Sequence, residues 1–122
     1  MDYQGAKMED YPVMRGKTTI DPKVLIDIVK LTALSVDGVS RMAVGPHSIE
    51  SLIKGNYSDG VNLEVESDTV YVDLYLVLNK DVDLYETSRK VQNKVARSIT
   101  DMVGMDIGYI NIHIEDIDYQ ND

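Results

Sequence analysis

The feature that most restricts the fold is a segment in which apolar residues recur at every second position. These residues are Val70, Val72, Leu74, Leu76 and Leu78. A period of two places successive side chains on opposite faces of a β-strand, so the segment is predicted to be a strand with one buried face. The residues predicted on its opposite face are Tyr71, Asp73, Tyr75 and Val77.

A shorter alternating run precedes this strand, and the two are predicted to form a hairpin. The run contains Val61, Leu63 and Val65, and the polar residues Ser67 and Asp68 lie between the two runs. Short alternating runs separated by a few turn-forming residues are typical of β-hairpins.

Two other segments show the three- and four-residue spacing of buried helix positions. The first is predicted to begin after the N-cap Asp21, with Pro22 at the first helical position, and to end at Gly38. The second is predicted to begin near Asp83, as its N-cap, and to end at Gly104. The predicted buried stripe of the first helix contains Val24, Leu25, Ile28, Leu31, Thr32, Ser35 and Val36. That of the second contains Leu84, Ser88, Val91, Val95, Ile99 and Met102.

A last alternating segment lies near the C-terminus, where Ile110, Ile112 and Ile114 are separated by polar and aromatic residues. With a short β-branched run at residues 15–20, the predicted order of elements is β-α-β-β-α-β. This order predicts the α+β class, as a two-layer sandwich in which both helices cover one face of about four strands. The other face of the sheet is then predicted to be open.

The pattern predicts a single domain of residues 15–119. Residues 1–14 are predicted to be a flexible leader, and residues 120–122 a tail. Residues 43–60 show no clear periodicity and are predicted only to connect two elements. Connections of this length are often functional or mobile.

Charge and cysteine content exclude several classes of protein. The chain of 122 residues has a net charge of −9, which disfavours nucleic acid and anionic lipid as partners away from a local basic patch. It contains no Cys, which excludes disulfides, thiolate metal sites and a Cys nucleophile. No run approaches the ~20 apolar residues that span a bilayer, and no apolar signal segment begins the chain. We therefore expect a cytoplasmic protein without direct membrane insertion.

One pattern suggests chemistry, because His113 and Glu115 are predicted to share a strand face. Two ligands are too few for a typical zinc centre, and simple alternation explains the pattern. No phosphate-binding loop or nucleophile motif occurs in the sequence. We therefore predict no catalytic residue, metal site or cofactor, and expect a protein that is not an enzyme. A weak hydrolase that uses His113 and Glu115 is the enzymatic alternative.

Two predicted surfaces are candidates for binding a partner. The first is a basic face of the second helix, formed by Arg89, Lys90, Lys94 and Arg97. It is either a solvated face or a docking surface for an acidic partner, including the acidic strands of another copy. The second is a tyrosine face on the open side of the sheet, which is either an interface or a set of cross-strand pairs facing water. Its residues are Tyr71, Asp73, Tyr75, Tyr109, Asn111 and His113.

Three spacing motifs support a family resemblance. They are Val36-x-Gly38-Val39-x-x-Met42, Val91-Gln92-x-x-Val95 and Gly104-x-x-Ile107-x-x-Ile110-Asn111-Ile112-x-Ile114. Through these motifs, residues 16–118 resemble the alkaline shock protein family, the general-stress or envelope stress response family of Gram-positive bacteria. The motifs are largely hydrophobic, so they mark a fold and a family rather than a catalytic centre.

The resemblance implies a non-enzymatic cytoplasmic protein of cell-envelope homeostasis that acts as a scaffold or adaptor through protein contacts. It implies recruitment to the inner face of the membrane by a small integral-membrane partner, and it leaves room for a homo-oligomer. The alternative is a regulator that binds an enzyme of fatty-acid or acetyl-CoA carboxylase metabolism. The resemblance supplies no active-site residues and no cofactor.

Overall fold

The long alternating segment forms the central strand of the sheet. In the computed structural model, which describes residues 18–44 and 57–120, this strand runs from Thr69 to Asn79 and belongs to a five-stranded sheet. In chain order the described elements are α1 (Pro22–Leu34), β1 (Val39–Met42), β2 (Tyr57–Ser58), β3 (Val61–Glu66), β4 (Thr69–Asn79), α2 (Leu84–Ser98) and β5 (Asp106–Asp118). A π-helical turn, Ile99–Val103, continues α2.

The central strand β4 has different neighbours along its two edges. β5 runs parallel to β4 along one edge, from Thr69 opposite Asp106 to Asn79 opposite Asp118. The other edge is shared by two antiparallel strands, β3 beside the first part of β4 and β1 beside its end. The short strand β2 pairs with β3 on its far side. The described sheet is therefore four strands wide, with β5 at one margin.

The ends of the two helices follow mostly from local sequence. The carboxylate of Asp21 accepts a hydrogen bond from the backbone N–H of Lys23 at 2.9 Å, and that of Asp83 accepts one from Glu86 at 2.9 Å. Both residues are the predicted N-caps, and each satisfies an N–H that has no partner within its helix. Gly104, with φ +76°, ends the helical segment of α2 as predicted.

The end of α1 differs from the prediction, because the helix stops at Leu34, four residues before Gly38. The hydroxyl of Ser35 donates a hydrogen bond to the carbonyl of Thr32 at 2.6 Å, and the backbone N–H of Ser35 bonds carbonyls of the last turn. These local bonds close the helix early. Gly38, with φ +102°, lies in the turn that leads into β1.

The core lies between the two helices and one face of the sheet. From the strands it takes Val61, Leu63, Val70, Val72, Leu74, Leu76 and Leu78 of the predicted apolar set, together with Ile110. Val65, which belongs to the same predicted set, is instead 43% exposed. From α2 and its π-helical turn it takes Val91, Val95 and Ile99. From α1 it takes Leu25, Ile26, Val29 and Ala33, and Val36 follows the helix. The predicted stripe of α1 was therefore only partly correct, since Leu31 is 67% exposed. Helix α1 is apolar on more than one side, and packing decides which side is buried.

The α+β class and the two-layer arrangement with both helices on one face are confirmed. The predicted first strand at residues 15–20 is not found where it can be examined, because residues 18–20 form no strand and residues 15–17 lie outside the described ranges. A strand does form after α1, at Val39–Met42. Its hydrogen bonds come from distant β4, as in the 2.8 Å bond from Ala43 N–H to the carbonyl of Tyr75, so no local period reveals it.

Candidate functional site

The parallel pairing of β4 and β5 assembles the predicted tyrosine face. Residues opposite one another in the register share a face of the sheet, and the six predicted residues form three cross-strand pairs. The pairs are Tyr71 with Tyr109, Asp73 with Asn111, and Tyr75 with His113. The sequence therefore predicted correctly that these residues would lie side by side, and their use as an interaction surface stays a prediction.

Asp73 organises the middle of this face. Its Oδ1 atom lies 3.0 Å from Nε2 of His113 and accepts a hydrogen bond from the Asn111 amide at 3.2 Å. The two donors come from β5, so the carboxylate ties the side chains of neighbouring strands together. His113 is thereby oriented by Asp73 and not by Glu115, the residue with which it was predicted to share a face.

Glu115 loses its predicted position because of an irregularity in β5. The register passes from Ile114 opposite Leu76 directly to Asp116 opposite Val77, so Glu115 is an extra residue in the strand. A β-bulge of this kind re-aims the side chains that follow it. Among the residues described by the model, no three His, Cys, Asp or Glu side chains form a group that could hold a metal ion.

The tyrosine face is not uniformly accessible. The ring of Tyr75 stacks on the imidazole of His113, with centroids 4.5 Å apart and planes inclined by 13°. Tyr75 is only 9% exposed and its neighbour Val77 is buried. The expectation of a wholly open face was therefore wrong at this end. Tyr75 stabilises the position of His113 and offers little area of its own to a partner.

The other end of the face is open and aromatic. The rings of Tyr71 and Tyr109 meet edge to face at 5.1 Å, and Tyr109 is 44% exposed. A Cβ atom at Gly108 would overlap the ring of Tyr71, so glycine is required for this close approach. Partial burial raises the pKa of the Tyr109 hydroxyl, and the negative charges of Asp73 and Glu64 raise it further.

The predicted basic face of α2 divides into two parts. Lys90, Lys94 and Arg97 line a groove of about 440 Å³ between α2 and the end of α1, which we call the basic groove. Its other lining residues are Ser35, Val36, Asp37 and Asn93. The fourth predicted cation, Arg89, faces a different way. The three groove cations follow one another at steps of four and three, a spacing that Arg89 does not share and that indicates one helix face.

Arg89 belongs to a second groove, which the sequence did not suggest. Its Nε atom donates to the Tyr85 hydroxyl at 3.1 Å, and its guanidinium lies 5.2 Å from the centroid of the Tyr85 ring. The groove has a volume of about 330 Å³ and lies between α2 and β5, so we call it the strand groove. Its lining residues are Leu84, Tyr85, Ser88, Arg89, Gln92, Ile112 and Ile114.

The fold is that of a small α+β sandwich domain. The chain belongs to the alkaline shock protein 23 family, whose model matches residues 11–119 and describes a cell envelope-related function. This finding confirms the resemblance seen in the spacing motifs.

Similar proteins occur in Gram-positive bacteria. The chain is 31% identical over 117 residues to the uncharacterized protein YqhY of Bacillus subtilis strain 168, which covers 93% of this chain and 85% of that protein. It is 24% identical over 110 residues to the uncharacterized protein YloU of the same strain, over 87% of this chain and 92% of that protein.

Among solved structures, the chain is similar to a zinc form of the MamM CTD that carries an Asp-to-Asn substitution. The TM-score is 0.50 at 9% identity, over 81% of this chain and 89% of that chain. At such low identity the likeness shows the fold alone. Within residues 18–44 and 57–120, no helix is long and apolar enough to cross a membrane.

Proposed function

We propose that this protein is a non-enzymatic adaptor of the cell envelope that binds an acidic segment of a partner protein in the basic groove. The observation that supports it is the grouping of Lys90, Lys94 and Arg97 along one groove. The whole chain has twelve Lys and Arg residues against 21 Asp and Glu. Three cations in one groove of so acidic a molecule form a local positive site, which attracts a segment of opposite charge.

The other lining residues suit a peptide better than a bare ion. Asn93 supplies both a donor and an acceptor for a peptide backbone. Asp37 places one negative charge in the same groove, which disfavours a segment with carboxylates at every position. The fitting partner is therefore a segment in which acidic residues are separated by uncharged ones.

The partners of His113 support a role without catalysis. The imidazole is held by the Asp73 carboxylate on one side and by the Tyr75 ring against its face. A hydrolytic mechanism needs a nucleophile or an activated water within hydrogen-bond reach of the base. The described contacts of His113 are instead those of a structural residue on a sheet.

An integral-membrane protein is the kind of partner that we propose, with its acidic segment on the cytoplasmic side. Such a partner would hold the adaptor at the inner face of the membrane although the adaptor itself does not enter the bilayer. Binding through charges at a groove is salt-dependent, because ions screen exposed charges over a Debye length of about 8 Å at physiological ionic strength.

The first experiment measures binding of the full chain to a peptide in which Glu alternates with Ala. We expect salt-sensitive binding that weakens roughly tenfold or more in the double variant Lys90→Glu, Lys94→Glu. The control is Lys23→Glu, which reverses one charge at the distant start of α1, where the residue is exposed, and so makes half the charge change of the double variant. Absence of binding by the unchanged protein, or equal loss in the control, would contradict the proposal.

The second experiment identifies the partner from solubilised membranes with the tagged chain. The proposal predicts a membrane protein with an acidic segment, lost from the double variant and retained by Lys23→Glu. Deletion of that acidic segment should abolish capture. Recovery of an acyl-metabolism enzyme instead, by all three proteins alike, would favour the regulator.

A further inference from the structure

The outer edge of β5 is a long strand edge at the margin of the sheet. β5 contains 13 residues, and its partner β4 occupies one side throughout. Nothing in residues 18–44 or 57–120 pairs with it on the other side. An unpaired edge exposes a row of backbone donors and acceptors and is a template for another strand.

The hydrogen bonds of β4 show which groups of β5 point outward. Both backbone groups of Tyr75 bond to the opposite edge, where Gly60 and Ala43 lie. The alternate residues of β4, among them Leu74 and Leu76, must therefore turn their backbone groups toward β5. In a parallel ladder, a β5 residue that lies opposite one of these β4 residues directs its own N–H and C=O away from β4.

The outward residues of β5 are therefore Ile110, Ile112 and Ile114, which lie opposite Val72, Leu74 and Leu76. An independent contact supports this assignment. The side-chain amide of Gln92 on α2 donates to the carbonyl of Ile110 at 2.9 Å, and this carbonyl is accessible to α2 only from the outer edge. The outward backbone N–H and C=O groups of Ile112 and Ile114 have no partner among the described strands.

The strand groove lies directly beside this edge. Ile112 and Ile114 form its floor on the side of β5, and the first turns of α2 form its wall. Leu84 and Tyr85 on that wall are 42% and 70% exposed, so apolar surface remains uncovered next to the unpaired backbone. An incoming strand would need apolar side chains at alternate positions on this side, and uncharged or basic ones on the other.

β5 itself satisfies both requirements. Its helix-side residues are isoleucines, and its tyrosine-face residues between them are Asn111 and His113. Residues 107–114 contain no Asp, Glu, Lys or Arg. The other margin of the sheet lacks this property, because the exposed part of β3 carries Glu64 and Glu66, charges that protect an edge against pairing.

We propose that two copies of the protein associate through this edge, with β5 antiparallel to β5 and Ile112 opposite Ile112 of the second copy. The outward N–H and C=O of Ile112 in each copy then bond to those of the other, and the sheet continues across the dimer. Leu84 and Tyr85 of both copies are covered near the seam. The same patch serves both subunits, as a two-fold axis requires.

Charge selects the antiparallel arrangement. In a parallel pair the carboxylates of Glu115, Asp116 and Asp118 would face their equivalents at about 5 Å. In the antiparallel pair Asp116 lies opposite Tyr109 of the second copy and six ladder positions, or about 20 Å, from its own equivalent. Only Asp118 and Asp106 bring like charges together, one such pair at each end of the seam. This distance exceeds the Debye length of about 8 Å, so the repulsion between the two Asp116 carboxylates is screened. The antiparallel pair therefore has fewer close like-charge contacts than the parallel pair.

Sedimentation velocity of the full chain tests the proposal. We expect the unchanged protein to sediment as a dimer and Ile112→Pro to sediment as a monomer at the same concentration. Proline removes an N–H that points outward, so the β4–β5 ladder keeps its bonds and far-ultraviolet circular dichroism should change little. Ile112→Val keeps the N–H and should remain dimeric. The variant Lys90→Glu, Lys94→Glu should also remain dimeric, which separates this interface from the basic groove.

Disulfide trapping gives a second test that does not depend on how well the proline variant folds. The chain has no Cys, so Ile112→Cys introduces a single thiol. Two such thiols, oxidised together by diamide, should form an intermolecular disulfide within the Cα separation of about 7 Å that the bond allows. Tyr109→Cys should not cross-link, because it lies about 20 Å from its equivalent. A monomeric unchanged protein, or equal cross-linking at both positions, would overturn the proposal.

Discussion

The two faces of the sheet are built by the same strands and differ in what they contribute. On the helix-covered face, Leu74 and its neighbours on β4 are completely buried. On the tyrosine face, Asp73 and His113 are held by one another yet remain partly exposed. Burial of apolar side chains is the largest favourable term in folding, whereas a partly exposed polar contact contributes little. Stability is therefore concentrated on one face, while the other holds its side chains in fixed positions.

The tyrosine face also changes along its length. At the end beside β1, Tyr75 and Val77 are as buried as parts of the core, and at the other end Tyr109 is 44% exposed. The exposure of a side chain on β4 therefore depends on its position along the strand as well as on the face that it occupies. A substitution near Tyr75 should behave like a core substitution, and one near Tyr109 like a surface substitution.

The largest expected effect is that of Leu74→Ala on the helix-covered face. Leu74 is surrounded by other buried side chains, and its truncation removes apolar contacts and leaves a cavity. Such changes typically reduce the free energy of unfolding by about 2–5 kcal/mol. Urea unfolding measures the change. The control is Glu64→Ala on the exposed side of the neighbouring strand, where we expect about 0.5 kcal/mol or less. A similar loss in both variants would remove the distinction between the faces.

The next effect is that of Gly60→Ala, which tests the covered end of the tyrosine face. Gly60 has φ +85°, and a Cβ there would lie 2.8 Å from the carbonyl oxygen of Tyr75 and would also overlap the backbone of Ala43. Backbone atoms cannot move aside as a flexible side chain does. We expect a loss of about 1–3 kcal/mol, the cost of such backbone strain.

Thermal and urea unfolding of Gly60→Ala should therefore show a clear decrease in stability. Gly104→Ala is the matched control, because Gly104 has a similar φ of +76° and no atom within 4 Å of the added Cβ. If both variants lose the same stability, the backbone angle alone is responsible. The junction of β1, β3 and β4 would then not be tightly packed.

The parts of this fold that follow from sequence are those that local patterns determine. The period of two in β4 and β5, and the N-caps Asp21 and Asp83, need only neighbouring residues, and all of these were predicted. Strand β1 could not be predicted, because its hydrogen-bond partners lie some 35 residues away in β4. The buried side of α1 was ambiguous, since Leu31 and Val29 are equally apolar and only packing separates them.

The candidate surfaces show the same division. The contact of Asp73 with His113 depends on the register between two strands. The position of Glu115 depends on a bulge that alternation does not indicate. The strand groove joins α2 to β5, and neither segment alone suggests it. The spacing of Lys90, Lys94 and Arg97 already indicates one helix face in the sequence, whereas Arg89 lines the strand groove instead.

A smaller effect is expected for the pair at the middle of the tyrosine face. Asp73→Ala and His113→Ala each remove one member of the 3.0 Å contact. Since both groups are partly exposed, a double-mutant cycle should give a coupling energy of about 0.2–1 kcal/mol. The unfolding free energies of the two single variants and the double variant provide the measurement. A coupling energy above about 2 kcal/mol would mean that this contact contributes as much to the free energy of unfolding as a buried contact does.

The smallest effect concerns the titration of Tyr109 at the open end. Its pKa is raised from the ordinary value of 10.0, first by partial burial and then by the charges of Asp73 and Glu64. A raised pKa means that the fold favours the neutral phenol. Tyr109 therefore contributes stability that is fully present below pH 10, where the unfolded chain is also neutral, and is lost as the pH rises from there through the folded pKa.

Tyrosinate absorbance during an alkaline titration follows this group, and Tyr109→Phe identifies its contribution by difference. Asp73→Asn removes one of the two charges that oppose ionisation, so the pKa of Tyr109 should fall while burial still holds it above 10.0. Asp81→Asn neutralises a carboxylate in the turn before α2 and serves as the control. If Asp73→Asn leaves the Tyr109 titration unchanged, the charge of Asp73 does not contribute to the raised pKa. The open end of the tyrosine face would then be electrostatically independent of the Asp73 pair, and the two ends of β4 would differ in charge coupling as well as in exposure.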